Sequence, residues 1–432
     1  MIVYIIIFLS LLLTPVSGQS SEYLPTMPTE LNSTRISLLT VNDGVELYTR
    51  FGHTMLRIQD SAEDIDFVIH WGQFDFSDPL FIPKFFQGIL IYSMGFAPTK
   101  RAVSYYRKTE FRGIVEDEFA LTLSQKKRLM DKVKENMKPE NIFYPYQYFR
   151  NNCATIPRDY IDYALSGALK ASMEDVVVPT ITYRDYARQN LGTNSLVAWG
   201  LDAIFNGDTD RPLRRWDEMF YPKKLREHLS TMSSYNDLGL PVAAQGLLIN
   251  NHMLIDIPEP EGQAMDGYLL TWLVAGIPLF AILISLFLRR LEGKRIVLRW
   301  QNRVFGLVSL WWGMTAGFFG LTHFWGWAFS QHSDLYHNLN ILLFWPIDFL
   351  LLSPAVLLGI LGGDFGHENW FKRKYWRKFA TVHLYIIPVY AVIACSGLVE
   401  QNTSRLIIYM VPLSLLYYFV MVRLTWQGDS AT

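Results

Sequence analysis

Five apolar stretches after residue 267 limit what this chain can fold into more than any other feature. They run over roughly 267–288, 304–329, 338–361, 380–398 and 404–424. Most are near the ~20 residues that a helix needs to cross a bilayer. The charges between them set an orientation. "RRLEGKRIVLR" lies between the first and second stretches and "FKRKYWRKF" between the third and fourth. The other two connections, near "SQHSDLYH" and "VEQNT", hold almost no Lys or Arg. By the positive-inside rule the two basic loops are cytoplasmic, which puts everything before residue 267 outside.

The N-terminus gives the same topology. Residues 1–18, "MIVYIIIFLSLLLTPVSG", form an apolar run too short to favour a span, ending in Pro15 and a small-residue V-S-G site. This is a signal-peptide pattern. It lacks Lys and Arg in the n-region, so an uncleaved anchor is the alternative. No cysteine follows the run, which argues against a lipid anchor on this chain. Half of all residues are hydrophobic, and the excess sits in the first dozen residues and after residue 267. With a formal net charge of −1, nothing in the composition suggests a nucleic-acid partner.

Within the membrane half, Trp325 and Trp327 suit an interfacial aromatic belt on the outer side. His323, His332 and His337 fall at the same level. They are either interfacial polar residues or part of a headgroup site, for which His332 is the candidate. Asp348 lies inside the third stretch, and intramembrane carboxylates are usually functional or paired.

The outer region opens with strands. "ISLLTV" is a short β run, "HTMLRI" alternates, and "DFVIHW" follows the polar turn "QDSAEDI". A hairpin on that turn sets His53 opposite roughly residues 70–72, so that His70 shares a sheet face with it. Residues 123–136 read as a solvated helix with Leu129, Met130 and Val133 as its apolar stripe. In "RNNCATIPRD" Cys153 sits at a loop-to-helix junction, with Ile156, Tyr160, Ile161 and Ala164 as the buried side of the helix. Residues 166–257, with "SLVAWGLDAIF" and "KKLREHLSTM", read as a helical extension packed on the domain before it. Residues 258–266 read as a polar, Pro-bearing linker.

The chain has two cysteines, Cys153 and Cys395. The second lies in an apolar segment, so the two are not expected to meet. An unpaired thiol is a liability in an oxidising compartment, which favours a use for it. At a helix N-terminus the helix dipole lowers a thiol pKa. A nearby His then takes the thiol proton, and backbone N–H groups at the helix start hold an oxyanion. Asn152 either caps the helix or adds a donor. Pro157 complicates the cap, because it falls where a backbone N–H should begin the ladder if Asn152 is the N-cap; Thr155 is the other candidate. The plainer readings are a small buried cysteine and a structural His53. Zinc held by His53, His70 and Cys153 is allowed by ligand type, but no closely spaced ligand pair supports it. Neither a metal nor a cofactor is expected.

"ISLLTVNDGVELYTRFGHTMLRIQD", then "VIHWGQFDF", then "ENIFYPYQYFRNNCATIPRDYIDY" resembles the Lnb-type lipoprotein N-acyltransferase domain, a family found mainly in Bacteroidota and long without an assigned function. The likeness covers about residues 35–165. It continues more weakly through "WDEMFYPKKLREHL" into "NLNILLFWPID". The order of strand His and helix-start Cys is also similar to the circularly permuted papain-like group, which includes lecithin:retinol acyltransferase. The resemblance implies an α+β, permuted papain-like (NlpC-type) periplasmic domain followed by an all-α transmembrane bundle of about five helices. The expected division is a signal peptide over 1–18, a thiol catalytic domain over 35–165, the extension over 166–257, the linker, and a membrane domain over 267–425.

The implied activity is two-step acyl transfer at the inner membrane, with the catalytic domain facing the periplasm. Cys153 takes an acyl chain from a membrane phospholipid as a thioester. The α-amine of a lipoprotein's diacylglyceryl-cysteine then takes the chain from Cys153. In this reading His53 is base and then acid, and Asn152 or backbone N–H groups hold the oxyanion. His70 orients His53, with Gln73 and Asp75 as rivals for that role. Tyr48, Arg57, Arg158 and Asp159 line or brace the site; Arg158 and Asp159 serve equally well as a structural ion pair. The partners implied are phospholipid, diacylglyceryl lipoprotein and the bilayer itself. The alternatives are acyl transfer within one lipoprotein to give a lyso form, an NlpC-type cell-wall peptidase or amidase, and a non-enzymatic receptor or folding factor.

Overall fold

The computed structural model describes residues 24–74, 80–192, 196–259, 295–361 and 373–426, with the isolated positions 276 and 283. The signal peptide expected over 1–18, Asp75, most of the linker and the first apolar stretch lie outside the described residues. The chain divides into two compact units. One takes residues up to 183 together with 212–263; the other takes 184–211 together with the residues from 264 on.

The first unit is built on a seven-stranded antiparallel sheet. Its strands are β1 (Arg35–Val41), β2 (His53–Asp60), β3 (Ile65–Gln73), β4 (Ile91–Pro98), β5 (Ile114–Phe119), β6 (Phe143–Pro145) and β9 (Leu248–Ile255). They lie in the order β6-β4-β3-β2-β1-β5-β9. A separate two-stranded ladder pairs β7 (Ser233–Tyr235) with β8 (Pro241–Gly246). Period-2 alternation divides the apolar residues between the two faces. Ile36, Leu38, Leu56, Ile58, Phe67, Ile69 and Trp71 face the larger core. Leu39, Val41, Met55 and Val68 face a smaller one, with Ala102 of helix α1 (Thr99–Tyr105). Central strands buried on both faces read as near-continuous apolar runs, which is why "ISLLTV" carries so little polar interruption.

Two helices complete the larger core. In α2 (Leu123–Asn136), Leu129, Met130 and Val133 are buried. A capping box starts this helix: Gln125 N–H donates to Thr122 Oγ1 at 3.2 Å, and Thr122 N–H donates to Gln125 Oε1 at 2.9 Å. In α3 (Thr155–Ala164), Tyr160, Ile161 and Ala164 join the same core.

Residues 166–230 are helical as expected, with helices at Ala168–Met173, Tyr183–Leu191, Leu196–Ile204, Arg215–Glu218 and α4 (Pro222–Ser230). The remainder departs from the helical extension: β7, β8 and β9 follow, and β9 completes the sheet beside β5. β9 is an edge strand whose middle residues are exposed, so "LINNHMLI" never shows the clean alternation of a half-buried strand. Residues 184–211 belong to the other unit. There Trp199 is buried and meets Phe319 edge-on at 5.8 Å. "SLVAWGLDAIF" is therefore packed against the C-terminal helices, not on the domain before it. Arg184 anchors the segment by pairing with Asp202 and Asp210, and Arg405 also reaches Asp202, at 2.9 Å.

In the second unit α5 (Arg295–Phe329), α6 (Arg373–Cys395) and α7 (Ser404–Trp426) are each long and apolar enough to cross a membrane. The third apolar stretch is not one straight helix. It breaks into Ser333–Leu342 and Pro346–Ile360, bent by 53°, and counts as a fourth span only if the pair is taken together. Pro346 has no N–H for a continuing ladder. Asp348 caps the new start instead, Oδ2 accepting from Trp345 N–H at 2.9 Å. The other carboxylate oxygen accepts from Tyr418 O–H at 3.0 Å and lies 3.1 Å from His383 Nε2. Asp348 is thus a paired carboxylate joining the broken segment to α6 and α7. The three outer histidines have separate settings. His323 is buried over Phe344, His332 is buried with its N–H donating to Ser330 Oγ, and His337 Nδ1 accepts from Trp327 Nε1 at 3.0 Å.

Candidate active site

One end of the sheet gathers the reactive side chains. His53 opens β2 and pairs with Val41, the last residue of β1. Further along the β2–β3 ladder Met55 pairs with His70. Residues 53 and 55 share a face, so the rings of His53 and His70 come together, 5.6 Å apart and edge-on. The next-to-last residue of β3 is Gly72, whose φ of 125° lies where glycine is favoured. A Cβ at Gly72 would sit 3.6 Å from His53 Cε1 and 3.9 Å from Cys153 Cβ. Both side chains thus lie within van der Waals reach of this one position, and its φ is what calls for glycine there. Cys153 is half-buried and forms no disulfide.

The start of α3 fixes the thiol. Asn152 is buried, and its Oδ1 accepts from the N–H groups of Ala154 at 2.8 Å and Thr155 at 2.9 Å. Its amide nitrogen donates to the carbonyls of Tyr148 at 2.8 Å and Phe220 at 3.0 Å. In return Thr155 Oγ1 accepts from Asn152 N–H at 2.8 Å. The two candidate caps therefore work as one. Both amide hydrogens of Asn152 are already committed, so its side chain positions the loop and is not an oxyanion donor; that expectation is corrected here. Pro157 is the third residue of α3. It falls in the first turn, where N–H groups lack helical partners in any case, so it costs the helix nothing.

The thiol pKa runs opposite to the expectation from a helix start. Burial pushes it up to about 11, against the pull of the Thr54 N–H, the Arg112 charge and its own N–H. The capped N–H groups of Ala154 and Thr155 already have an acceptor, which leaves less of the helix dipole for sulfur. Burial, then the neighbouring His70 and Arg112 charges, holds His53 well below its usual value. Burial takes His70 down to about 4. At neutral pH the resting pair is a neutral thiol beside a neutral imidazole.

The remaining expected residues separate into neighbours of the site and braces. His70 pairs with Gly95, and a Cβ there would lie 2.7 Å from His70 Nε2 and 2.8 Å from Gln73 Oε1. Gln73 therefore stands beside His70. Tyr48, on the Leu47–Thr49 turn, is 45% exposed. Arg57 is fully engaged, clamping Asp66 through two nitrogens and Glu116 through the third. Arg158 is buried, donates to Asp159 and the Trp216 carbonyl, and stacks 3.9 Å from the Trp216 ring. Both arginines brace the fold. Asp159 borders a cleft of about 780 Å³, with Trp71, Tyr144 and Tyr160, whose lining includes neither Cys153 nor His53. His332 belongs to the other unit. Among the described residues no group of three or more His, Cys, Asp or Glu is placed to hold a metal.

Sequence reasoning missed two features. Tyr92 stacks between Phe74, at 4.8 Å, and Tyr146, at 4.2 Å, with Tyr144 edge-on to it. Burial raises all three phenols, and the field of Cys153 adds to this, so the wall stands close to the thiol. Its trace in the sequence is the alternation of tyrosines at 144, 146 and 148. Arg112, whose charge reaches both Cys153 and His53, has no such trace.

The sequence over residues 22–189 matches the family model of the Lnb N-terminal periplasmic domain. The match agrees with the likeness read from the sequence. The Lnb domain so defined holds β1 to β6, α3, His53, His70 and Cys153, and ends short of α4 and β9. No curated protein and no solved structure matches the chain.

Proposed function

We propose that this protein is an apolipoprotein N-acyltransferase with Cys153 as its nucleophile. Its Lnb domain, read as a permuted papain-like fold, would work at the outer face of the inner membrane, held there by the C-terminal spans as a multi-pass anchor. The observation that carries the reading is the approach of Cys153 and His53 to the same position, Gly72, in a chain that matches a periplasmic-domain family and holds membrane-length helices. Both substrates are amphiphiles with polar heads at one membrane surface. A thiol domain tethered there meets them without extracting them.

In the first step Cys153 Sγ attacks an ester carbonyl of a glycerophospholipid as its proton passes to His53. The tetrahedral intermediate collapses, the C–O bond breaks, and His53 returns the proton to the departing alkoxide. The products are a Cys153 thioester and a lysophospholipid. In the second step the free α-amine of a diacylglyceryl-cysteine attacks the thioester. His53 takes the proton from the amine, the C–S bond breaks, and the thiolate is reprotonated as the amide forms. A neutral Cys–His pair suits this sequence, since the thiol sheds its proton only as the S–C bond forms. The N–H groups of Thr54 and Cys153, which face the sulfur, are the nearest candidate oxyanion donors.

Mass spectrometry of a lipoprotein N-terminal peptide tests the reading. Cells lacking the protein are complemented with wild type or Cys153→Ala. Wild type is expected to add one amide-linked acyl chain, and Cys153→Ala none. A matching loss from the glyceryl group would make the transfer intramolecular. Fragment spectra that show no amide-linked chain in any of the three strains would reject lipoproteins as the acceptor.

A further inference from the structure

The sheet end that carries His53 also carries a buried guanidinium. Val41 pairs with His53 on one side and with Ile114 of β5 on the other. Arg112 stands two residues before Ile114, so it and His53 flank the end of the same strand. Arg112 is only 5% exposed. Its Nε donates to the Asn42 carbonyl at 2.7 Å. Nη1 reaches Glu110 Oε2 only at 3.4 Å, long for a charge-assisted bond. Glu110 is also held by Tyr105 O–H, at 2.8 Å. Nη2 is buried and has no partner among the described residues. Leaving a buried charged donor unpaired is costly, and native proteins seldom do it without a ligand to receive it.

Besides Glu110, the guanidinium has the Tyr106 ring 5.5 Å away. Exposed apolar residues adjoin this site in the chain: Phe111, just before Arg112, is 66% exposed, and Val45, next to Gly44, which packs on the Arg112 stem, is 61% exposed. Tyr48 lies within the charge field of Arg112. Phe111 holds a left-handed conformation, φ 53°, which is strained for an aromatic residue. The protein thus spends backbone strain to keep a large ring in the open, next to a buried cation with a spare N–H. A cation adjoined by exposed apolar residues, at the same sheet end as a nucleophile, complements an amphiphile whose anionic group lies a few bonds from an ester.

We propose that Arg112, through Nη2, holds the phosphate of the glycerophospholipid acyl donor and so sets the donor's ester against Cys153. This rests on the acyl-transfer reading and names the group by which the donor is recognised. Arg112 is a specificity residue on this account. Its guanidinium binds the leaving lysophospholipid half of the donor and has no part in the attack of the amine.

The test uses the full chain in detergent micelles and follows Cys153 acylation by intact mass. Two donors are compared: phosphatidylethanolamine and an uncharged nitrophenyl ester of a medium-chain fatty acid. Arg112→Gln is expected to slow acylation by subsaturating phospholipid roughly tenfold to a hundredfold more than acylation by the nitrophenyl ester, the range for losing a charged hydrogen bond; the nitrophenyl ester rate reports what the lost charge does at the thiol alone. Arg112→Lys should fall between wild type and Arg112→Gln with phospholipid alone. Equal losses with both donors would assign Arg112 to the thiol, the oxyanion or the fold, and would overturn the proposal. So would an unchanged rate with phospholipid. Wild type that takes the acyl group from the nitrophenyl ester but from no phospholipid would remove the acyl-transfer reading itself.

Discussion

Cys153 sits between two opposed influences. Two backbone N–H groups and Arg112 favour the thiolate, while burial favours the thiol and outweighs them. Its chemistry should show this directly. In a Cys395→Ala background, where Cys153 is the one remaining cysteine, the rate of alkylation by iodoacetamide follows the thiolate fraction. With a thiol pKa of about 11 that rate should climb about tenfold per pH unit through neutrality and keep climbing past pH 9. A plateau below pH 8 would mean a thiolate–imidazolium pair, as in strongly activated cysteine enzymes, and would reverse the account of a neutral resting pair. The distinction matters for function. A neutral thiol in an oxidising compartment resists oxidation better than a thiolate does.

At the scale of elements, α3 is delivered to the sheet by its first turn. Asn152 joins that turn to two loops at once, capping α3 with its oxygen and tying the Tyr148 and Phe220 carbonyls with its nitrogen. Asn152→Ala should therefore act mainly on stability, costing about 1–3 kcal/mol for a lost cap and stranded buried carbonyls. Thermal unfolding should show the drop, with Asn152→Asp recovering part of it because the cap oxygen survives. A collapse in acylation rate with an unchanged melting temperature would instead place the amide on the oxyanion. The same logic explains Gly95, which stands where any side chain would collide with His70 and Gln73. The strand is locally stripped so that a polar pair can occupy the space beside it.

Across the whole molecule, loop charge and family assign the same side of the membrane to the Lnb domain. Single cysteines in the Cys395→Ala background test this. With a membrane-impermeant maleimide applied to spheroplasts, Gln331→Cys should be labelled and Lys374→Cys should not. Both positions are exposed in the structure. The reverse pattern would invert the topology and place Cys153 in the cytoplasm, away from mature lipoproteins. Within the second unit, Asp348 with Tyr418, His383 and Trp312 shows how a carboxylate is accommodated among apolar helices. One oxygen accepts from Tyr418 O–H and the other from Trp345 N–H, His383 Nε2 lies 3.1 Å from the first, and Trp312 Nε1 donates to the Tyr418 oxygen.

What the sequence determined by itself was set by local period and by segment length. The alternation in "HTMLRI" and "DFVIHW", the stripe of α2, the place of Cys153 ahead of a helix and the apolar spans all arise from residues near one another in the chain. A hairpin turn makes the approach of His70 to His53 a local matter too. Tertiary structure alone decided what depends on distant partners. β9 pairs with a strand about 130 residues earlier. Asn152 is committed to Phe220, 68 residues away, and Arg112 to Asn42, 70 residues away. The break at Pro346 is stabilised by Asp348, whose partners lie on two later helices. The thiol shows the division most plainly. The helix start that leads one to expect a lowered pKa is written in ten consecutive residues. The burial that raises it instead is the sum of side chains brought together from the whole domain, and no local pattern encodes that sum.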